Sequence, residues 1–294
     1  MRILVTASSG NIGSKLTSRL LDAGANVTLI ARNPQKVAAF KERGAAVAQG
    51  SLADQGFVTD VMKGMSAVFW LTPPNSSSDD FRGYQRRLGA IAAEAIEVSG
   101  VPRVVNLSSV GAQHGHSCGP VNGLHDVEQA INAAAPNVTH LRPGAFMENY
   151  LGSVGTIRTA SSAFLPVAGS ARIPTVATRD IADAAARVIL DGSWTGQRVM
   201  TVFGPQELSF DEMASTVSSL IGRPVKHVPV TPEQARESLV KMGIGEDMAR
   251  QYVELYQSFE SGFITRGLPP QPDMRGPTTF AQFARELILP ALSS

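Results

Sequence analysis

The chain has 294 residues, enough for one large domain or a core with a smaller lobe, and 43% of them are hydrophobic, which excludes a disordered chain. Its 26 Lys and Arg stand against 25 Asp and Glu, a net charge of +1 with no block of one sign, so neither nucleic acid nor an anionic membrane is an expected partner. The single Cys118 excludes an internal disulfide and a multi-cysteine metal site.

Arg2 to Thr6 is a short apolar, β-branched run reached directly from Met1. That leaves no room for a signal peptide, and no apolar run reaches membrane-spanning length, so a cytoplasmic protein is expected. Ile12 to Ala23 has helical spacing, with Ile12, Leu16, Leu20 and Leu21 on one face. Asn26 to Ala31 reads as a strand, Pro34 to Glu42 as a helix and Ala46 to Ala48 as a short third strand. Ser66 to Leu71 is a fourth strand, ended by Thr72-Pro73-Pro74, and Asp79 to Val98 is a long helix. Arg103 to Leu107 is a fifth strand, Val121 to Ala135 a helix and Val138 to Leu141 a sixth strand. This alternation predicts an α/β protein with a doubly wound, parallel Rossmann sheet and right-handed crossovers.

The second half is less regular. Helical patterns cover Arg179 to Asp191, Phe210 to Ile221, Pro232 to Met242 and Gly245 to Glu260, and Val199 to Val202 reads as a strand. Ser261 to Thr278, rich in Gly and Pro, reads as loop before a last helix near Thr279 to Leu289. The expected organisation is a dinucleotide-binding core over 1–150 and a smaller, mostly helical substrate lobe over 151–294, interleaved with the core. That lobe is expected to cover the carboxyl edge of the sheet, where open α/β proteins bind ligands.

Val5-Thr6-Ala7-Ser8-Ser9-Gly10-Asn11-Ile12-Gly13 follows the first strand and opens the first helix. Such a loop turns backbone N–H groups and the positive end of a helix toward a pyrophosphate. Thr6, Ser8, Ser9, Gly10, Asn11, Ile12 and Gly13 are therefore candidate cofactor residues. Gly10 permits close backbone approach, Gly13 lets the helix pack on the strand, and Ser8 and Ser9 offer hydroxyls. Arg32 directly follows the second strand. An acid near this point serves the ribose 2′-hydroxyl of NAD, whereas an arginine suits a 2′-phosphate. NADP(H) is the expected cofactor and NAD(H) the alternative. Lys36, one turn on, is either a second contact or a solvated side chain.

The loop spacing resembles the G-x-x-G-x-x-G pattern of the atypical short-chain dehydrogenase/reductases, with Ala7 where the first glycine belongs. Alanine suffices there if its φ is negative. LTPP (Leu71 to Pro74), VVNLSSVGA (Val104 to Ala112), LHDVEQAI (Leu124 to Ile131), THLRPGAFMENY (Thr139 to Tyr150), ATRDIADAAARVI (Ala177 to Ile189) and FGPQELSFDEMA (Phe203 to Ala214) extend the likeness. Together they resemble the NmrA-like branch over nearly the whole chain. That branch includes reductases of quinones, azo and triphenylmethane dyes and ergot alkaloids, and regulators that bind dinucleotide without turning it over. By position, the resemblance implies that Thr72, Pro73 and Pro74 line the nicotinamide-ribose side and that Ser108 and Ser109 stand beside the nicotinamide. Pro143 and Gly144 would present backbone to the carboxamide, and Phe146, Met147, Asn149 and Tyr150 would wall the substrate pocket. On the residues alone, Ser108 and Ser109 also read as a strand-end turn, and Phe146 and Met147 as plain core.

Typical short-chain dehydrogenases use a Tyr-x-x-x-Lys pair to move the substrate proton. Four residues after Tyr84, Tyr150, Tyr252 and Tyr256 stand Leu88, Val154, Tyr256 and Glu260, so the pair is missing. Near the usual lysine position stands His125, which reads equally as a proton shuttle or as a helix-start histidine held by a backbone carbonyl. Without the pair, activated acceptors are favoured, because they mainly need apposition to the hydride donor, an effect able to supply roughly 7–11 kcal/mol. His114-x-His116-x-Cys118 lacks a fourth ligand for zinc, and Gly111, Gly115 and Gly119 mark it as a mobile loop over the cleft, so no metal is expected. The expected function is NAD(P)H-dependent hydride transfer to an electron-poor small molecule (a quinone, imine or iminium ion, or dye), with His125, Ser108 and Ser109 as catalytic candidates. A dinucleotide-sensing protein is the alternative, and homo-oligomerisation stays open.

Overall fold

The computed structural model describes residues 1–293. Its first half alternates β1 (Arg2–Val5), α1 (Asn11–Asp22), β2 (Asn26–Ala31), α2 (Ala38–Glu42), β3 (Ala46–Gln49), α3 (Gln55–Met62), β4 (Ala67–Leu71), α4 (Phe81–Ser99), β5 (Val104–Leu107), α5 (Val121–Ala134) and β6 (Val138–Pro143). The second half adds β7 (Ala145–Phe146), α6 (Val154–Ala160), β8 (Ser162–Leu165), β9 (Arg172–Val176), α7 (Thr178–Asp191), β10 (Gln197–Phe203), β11 (Glu207–Ser209) and α8 (Phe210–Ile221). It closes with β12 (Lys226–Pro229), α9 (Pro232–Lys241), α10 (Glu246–Glu260), β13 (Met274–Arg275), α11 (Phe280–Phe283) and α12 (Leu289–Ser293).

Eight parallel strands form one sheet in the order β3-β2-β1-β4-β5-β6-β10-β13. Its central strands are buried on both faces, as in β4 and β5, where Val68, Phe69, Trp70, Val104 and Val105 are wholly buried. Helices on each side cause this, and it explains why these strands read as continuous apolar runs. One face packs on α1 and α7, with Ile12, Leu16 and Leu20 against Ile181, Ala185 and Ile189. The other packs on α3, α4 and α5 through Val58, Leu88, Ala92, Val127 and Ile131. The second half thus supplies two strands and one covering helix to the sheet. A separate core of Met147, Phe210, Met213, Phe280 and Phe283 lies in the C-terminal lobe, beside two small sheets, β11-β9-β7 and β12-β8.

Several elements depart from the sequence reading. The stretch expected as one helix over Pro34 to Glu42 is a 3₁₀ turn (Pro34–Val37) followed by the five-residue α2, with the break at Val37. α3 escaped notice because it has only eight residues; Asp54 caps it by accepting from the Phe57 N–H, and it buries Val58 and Met62. The last helix is interrupted by a π turn over Ala284–Ile288. Within the Gly- and Pro-rich loop, β13 adds the eighth strand. Among the described residues, no helix is long and apolar enough to cross a membrane.

Candidate active site

A cleft of about 910 Å³ opens at the carboxyl ends of β1, β2, β4 and β5. Its floor is the loop Ala7 to Ile12, Ile30 to Arg32, Leu71 to Asn75, Leu107 to Val110 and Gly144 to Phe146. Its roof is α10, which contributes Met248, Tyr252, Leu255 and Phe259, with Ile264 beyond it. These four residues are not among the candidates singled out from the sequence, although α10 itself is expected there. Their spacing puts them on one helical stripe, a signal that was available.

The N-terminus of α1 opens on the floor. Asp54, Asp80, Ser209 and Thr231 cap α3, α4, α8 and α9, whereas α1 has no side-chain cap and no acid in its first turn. Its N-terminal N–H groups and dipole therefore face the cleft uncompensated. Gly10 has an ordinary extended φ of −83°, and a β-carbon there would stand 3.3 Å from the Ala7 carbonyl oxygen. A β-carbon on Gly13 would stand 2.3 Å from that same oxygen, so Gly13 serves the close packing of α1 and does not line the cleft. Ala7 does not meet the condition of a negative φ: it lies at +50°, in the left-handed region that costs an L-residue roughly 1–2 kcal/mol. Its carbonyl accepts from the Gly10 N–H at 3.0 Å.

Two hydroxyls expected to face phosphate are committed elsewhere. Thr6 is wholly buried, and its Oγ1 accepts from the Leu71 N–H at 2.8 Å, stitching β1 to β4. Ser8 lines the cleft, but its Oγ donates to the Ile30 carbonyl at 3.2 Å and so ties the loop to β2. Ser9 and Asn11 remain exposed in the cleft. Among the described lining residues Arg32 is the only cation and Glu148 the only carboxylate. Arg32 is exposed and makes no ion pair among the described residues. Its charge is felt by Tyr84, whose hydroxyl burial pushes up and the Arg32 and Arg87 guanidiniums pull back. Glu148 is occupied in capping α7: it accepts from the Thr178 N–H at 3.1 Å and from the Thr178 hydroxyl. Among the described lining residues no carboxylate is left free.

At the middle of the cleft, Thr72, Pro73, Pro74, Ser108 and Ser109 all line the wall. Thr72 Oγ1 accepts from Trp70 Nε1 at 3.1 Å, and Ser109 Oγ donates to the Val110 carbonyl at 3.1 Å. Ser108 Oγ is buried with no partner among the described residues. A buried hydroxyl in that state costs stability unless something in the cleft bonds it. Pro143 does not line the cleft; its carbonyl accepts from the Val110 N–H at 3.0 Å, and Gly144 takes the lining position.

Three other candidates point away. His125 lies outside the cleft, where its Nδ1–H donates to the Ala112 carbonyl at 2.7 Å. A carbonyl can only accept, so the proton sits on Nδ1 and the ring is a helix-start brace. Phe146 and Asn149 line the cleft, but Met147 and Tyr150 turn into the C-terminal core. There Tyr150 packs edge-on to Phe280 with ring centres 5.3 Å apart, and burial pushes its partnerless hydroxyl far above the usual phenol range. The reason is local: Met147 starts a 3₁₀ turn, in which residues three apart share a face, so Met147 and Tyr150 turn to the core together while Glu148 and Asn149 face the cleft.

The loop holding His114, His116 and Cys118 is fastened rather than loose. Gln113 accepts from the Gly111 N–H at 3.0 Å and donates to the Ile264 carbonyl at 2.9 Å, and Arg82 donates to the Gly115 carbonyl at 3.1 Å. His114 stacks on Phe263 with centres 4.2 Å apart, and His116 lies 5.4 Å from the same ring. Cys118 is fully buried, and burial pushes its thiol up to about 11.

The NmrA-like family profile matches residues 1–283. The chain belongs to that family. Among relatives of this NmrA-like chain, an NAD(P)H azoreductase of Xenophilus azovorans is 28% identical over 285 residues, 96% of each chain. Quinone oxidoreductase 2 of Escherichia coli is 24% identical over 249 residues, 84% of each. The triphenylmethane reductase of Citrobacter sp., solved with NADP(H), superposes on the NmrA-like chain with a TM-score of 0.81 at 20% identity, over 97% of this chain and 99% of that one.

Proposed function

We propose that this protein is an NADPH-dependent reductase that passes hydride to an electron-poor organic acceptor such as a quinone, an iminium ion or a dye. At the coarser level it is an NAD(P)H-dependent oxidoreductase of the NmrA-like type, in the company of relatives named for azo and quinone reduction. One observation carries the finer reading: a single cleft joins an anion-seeking half to an apolar half. The anion-seeking half holds the uncapped α1 N-terminus and the unpaired Arg32; the apolar half lies under Met248, Leu255, Phe259 and Ile264.

The residues fit a dinucleotide. NADPH, when bound, supplies the hydride. The α1 N–H groups and Ser9 would hold the pyrophosphate, Arg32 the 2′-phosphate, and Thr72, Pro73 and Pro74 the nicotinamide ribose. Ser108 Oγ, buried and without a partner, is the floor-side donor for the nicotinamide or the acceptor. The apolar roof excludes water and presses a flat acceptor toward the floor. No lysine lines the cleft among the described residues, so apposition to the hydride donor has to do most of the work. A dinucleotide sensor would need only the anion-seeking half, and the apolar chamber therefore supports the reductase. The test is NADPH oxidation with a panel of neutral quinones and cationic dyes. Oxidation well above the acceptor-free rate supports the reading; tight NADPH binding with no acceptor reduced would favour the sensor.

A further inference from the structure

The roof carries one polar group that none of these roles uses. Met248, Tyr252, Leu255 and Phe259 form one stripe of α10, and of these only Tyr252 ends in a hydroxyl. That hydroxyl has no hydrogen-bond partner among the described residues, and its ring makes no aromatic contact.

α10 is pinned at two points. At its start the Gly245 N–H donates to the Ser76 carbonyl at 2.7 Å, and the Asp247 carboxylate accepts from the Phe81 N–H at 2.9 Å. Further along, the helix lies so close to Gly119 that a β-carbon there would stand 2.0 Å from the Gln251 carbonyl oxygen and 3.0 Å from the Leu255 nitrogen. The first anchor belongs to the segment after β4, the second to the segment after β5. Tyr252 follows Gln251 within the second anchor, and it lines the same cleft as Thr72 and Ser108, which directly follow β4 and β5. The other tyrosine lining the cleft, Tyr84, feels the charges of Arg32 and Arg87 and belongs to the ribose-phosphate end.

We propose that Tyr252 donates a hydrogen bond to the carbonyl oxygen of the bound acceptor as negative charge develops there. The proposal rests on the reading of this cleft as a quinone-type reductase site. A quinone takes two electrons and one hydrogen with the hydride, NADPH leaving as NADP⁺. Its oxygen becomes a phenolate, and a solvent proton completes the hydroquinone. A phenolate is a weak base, so the step calls for a neutral donor at the oxygen more than for a strong acid. Burial pushes the Tyr252 hydroxyl up and keeps it in that neutral, donating form. Tyr252 would thus act from the roof where a Tyr-x-x-x-Lys pair is missing from the sequence.

Tyr252→Phe removes the oxygen and keeps the ring. With a neutral para-quinone, kcat and kcat/KM should fall together by about 10- to 100-fold, while the NADPH dissociation constant stays unchanged. Para-nitrophenolate, standing in for the product oxyanion, should bind the NADP⁺-loaded variant about tenfold more weakly than wild type. Equal nitrophenolate affinity in the two proteins overturns the proposal whatever the rates do. So does a loss confined to KM, an unchanged kcat, or a matching loss of NADPH affinity. A wild type that binds NADPH yet reduces no quinone brings down the acceptor reading itself, and this inference with it.

Discussion

Gly13 rests on Ala7 so tightly that a β-carbon at position 13 would lie 2.3 Å from the Ala7 carbonyl oxygen and 2.9 Å from the Ser8 Cα. At Gly10 the corresponding approach is 3.3 Å. The two glycines of one loop therefore have different tasks. Gly13→Ala should destabilise the protein by about 3 kcal/mol, because its obstacle is backbone that cannot rotate aside. Gly10→Ala should change stability by only about 1 kcal/mol yet weaken NADPH about tenfold or more, since the added methyl projects where a pyrophosphate must approach. Denaturant melts and calorimetric titration with NADPH separate the two; equal stability losses would contradict this division.

Arg32 should set the cofactor preference. A charge-assisted bond to the 2′-phosphate contributes about 1.5–3 kcal/mol, a preference for NADPH over NADH of roughly ten- to a hundredfold. Arg32→Ala should remove most of it by weakening NADPH alone. Both dissociation constants are to be measured at one ionic strength, because an exposed phosphate contact is salt-sensitive. Equal weakening of NADPH and NADH would show that Arg32 does not read the 2′ position.

His125→Ala should leave quinone kcat/KM within about twofold of wild type, because the ring stands outside the cleft. It should cost about 1 kcal/mol of stability through the lost bond to the Ala112 carbonyl. A large fall in kcat with unchanged stability would restore His125 as a proton donor.

Asp126 clamps α4 to α5: it accepts from Arg82 at 2.7 and 2.9 Å and from Arg86 at 2.7 Å. Burial pushes its carboxyl up, but the bonds and charges of Arg82 and Arg86 prevail and hold it below the usual carboxylate range. A depressed folded-state pKa means that the clamp is fully present above the ordinary carboxylate pKa and is lost as pH falls through the lowered one. Asp126→Asn should therefore cost about 1–2 kcal/mol at neutral pH and little in acid, where wild type loses the same bonds. Melts from neutral to acid pH check this; a difference that grows toward acid would refute it.

The alternation of strand and helix, the turn at Thr6 to Gly13 and the arginine after β2 were all legible, because each is written in neighbouring residues. α3 was not, since eight residues barely exceed two turns and give the period little room to declare itself. The eighth strand was not, because β13 is two residues whose strand character comes entirely from pairing with β10.

Local periodicity and short-range turn chemistry suffice for the Rossmann alternation and for the strand-turn-helix at Thr6 to Gly13, so neighbouring residues carry both. Which side chains reach the cleft depends on packing between elements. Ser8 and Thr6 spend their hydroxyls on strands that come from elsewhere in the chain, and His125 spends its proton on Ala112. Met147 and Tyr150 meet a core completed by Phe210 and Phe280, far along the chain. Tyr252 reaches the roof because α10 docks on Gly119 and on the segment after β4. Those facings are set by contacts between separate elements, from 13 residues apart for His125 and Ala112 to 132 for Gly119 and Gln251, and a helix or strand period says which residues share a face but not what that face meets.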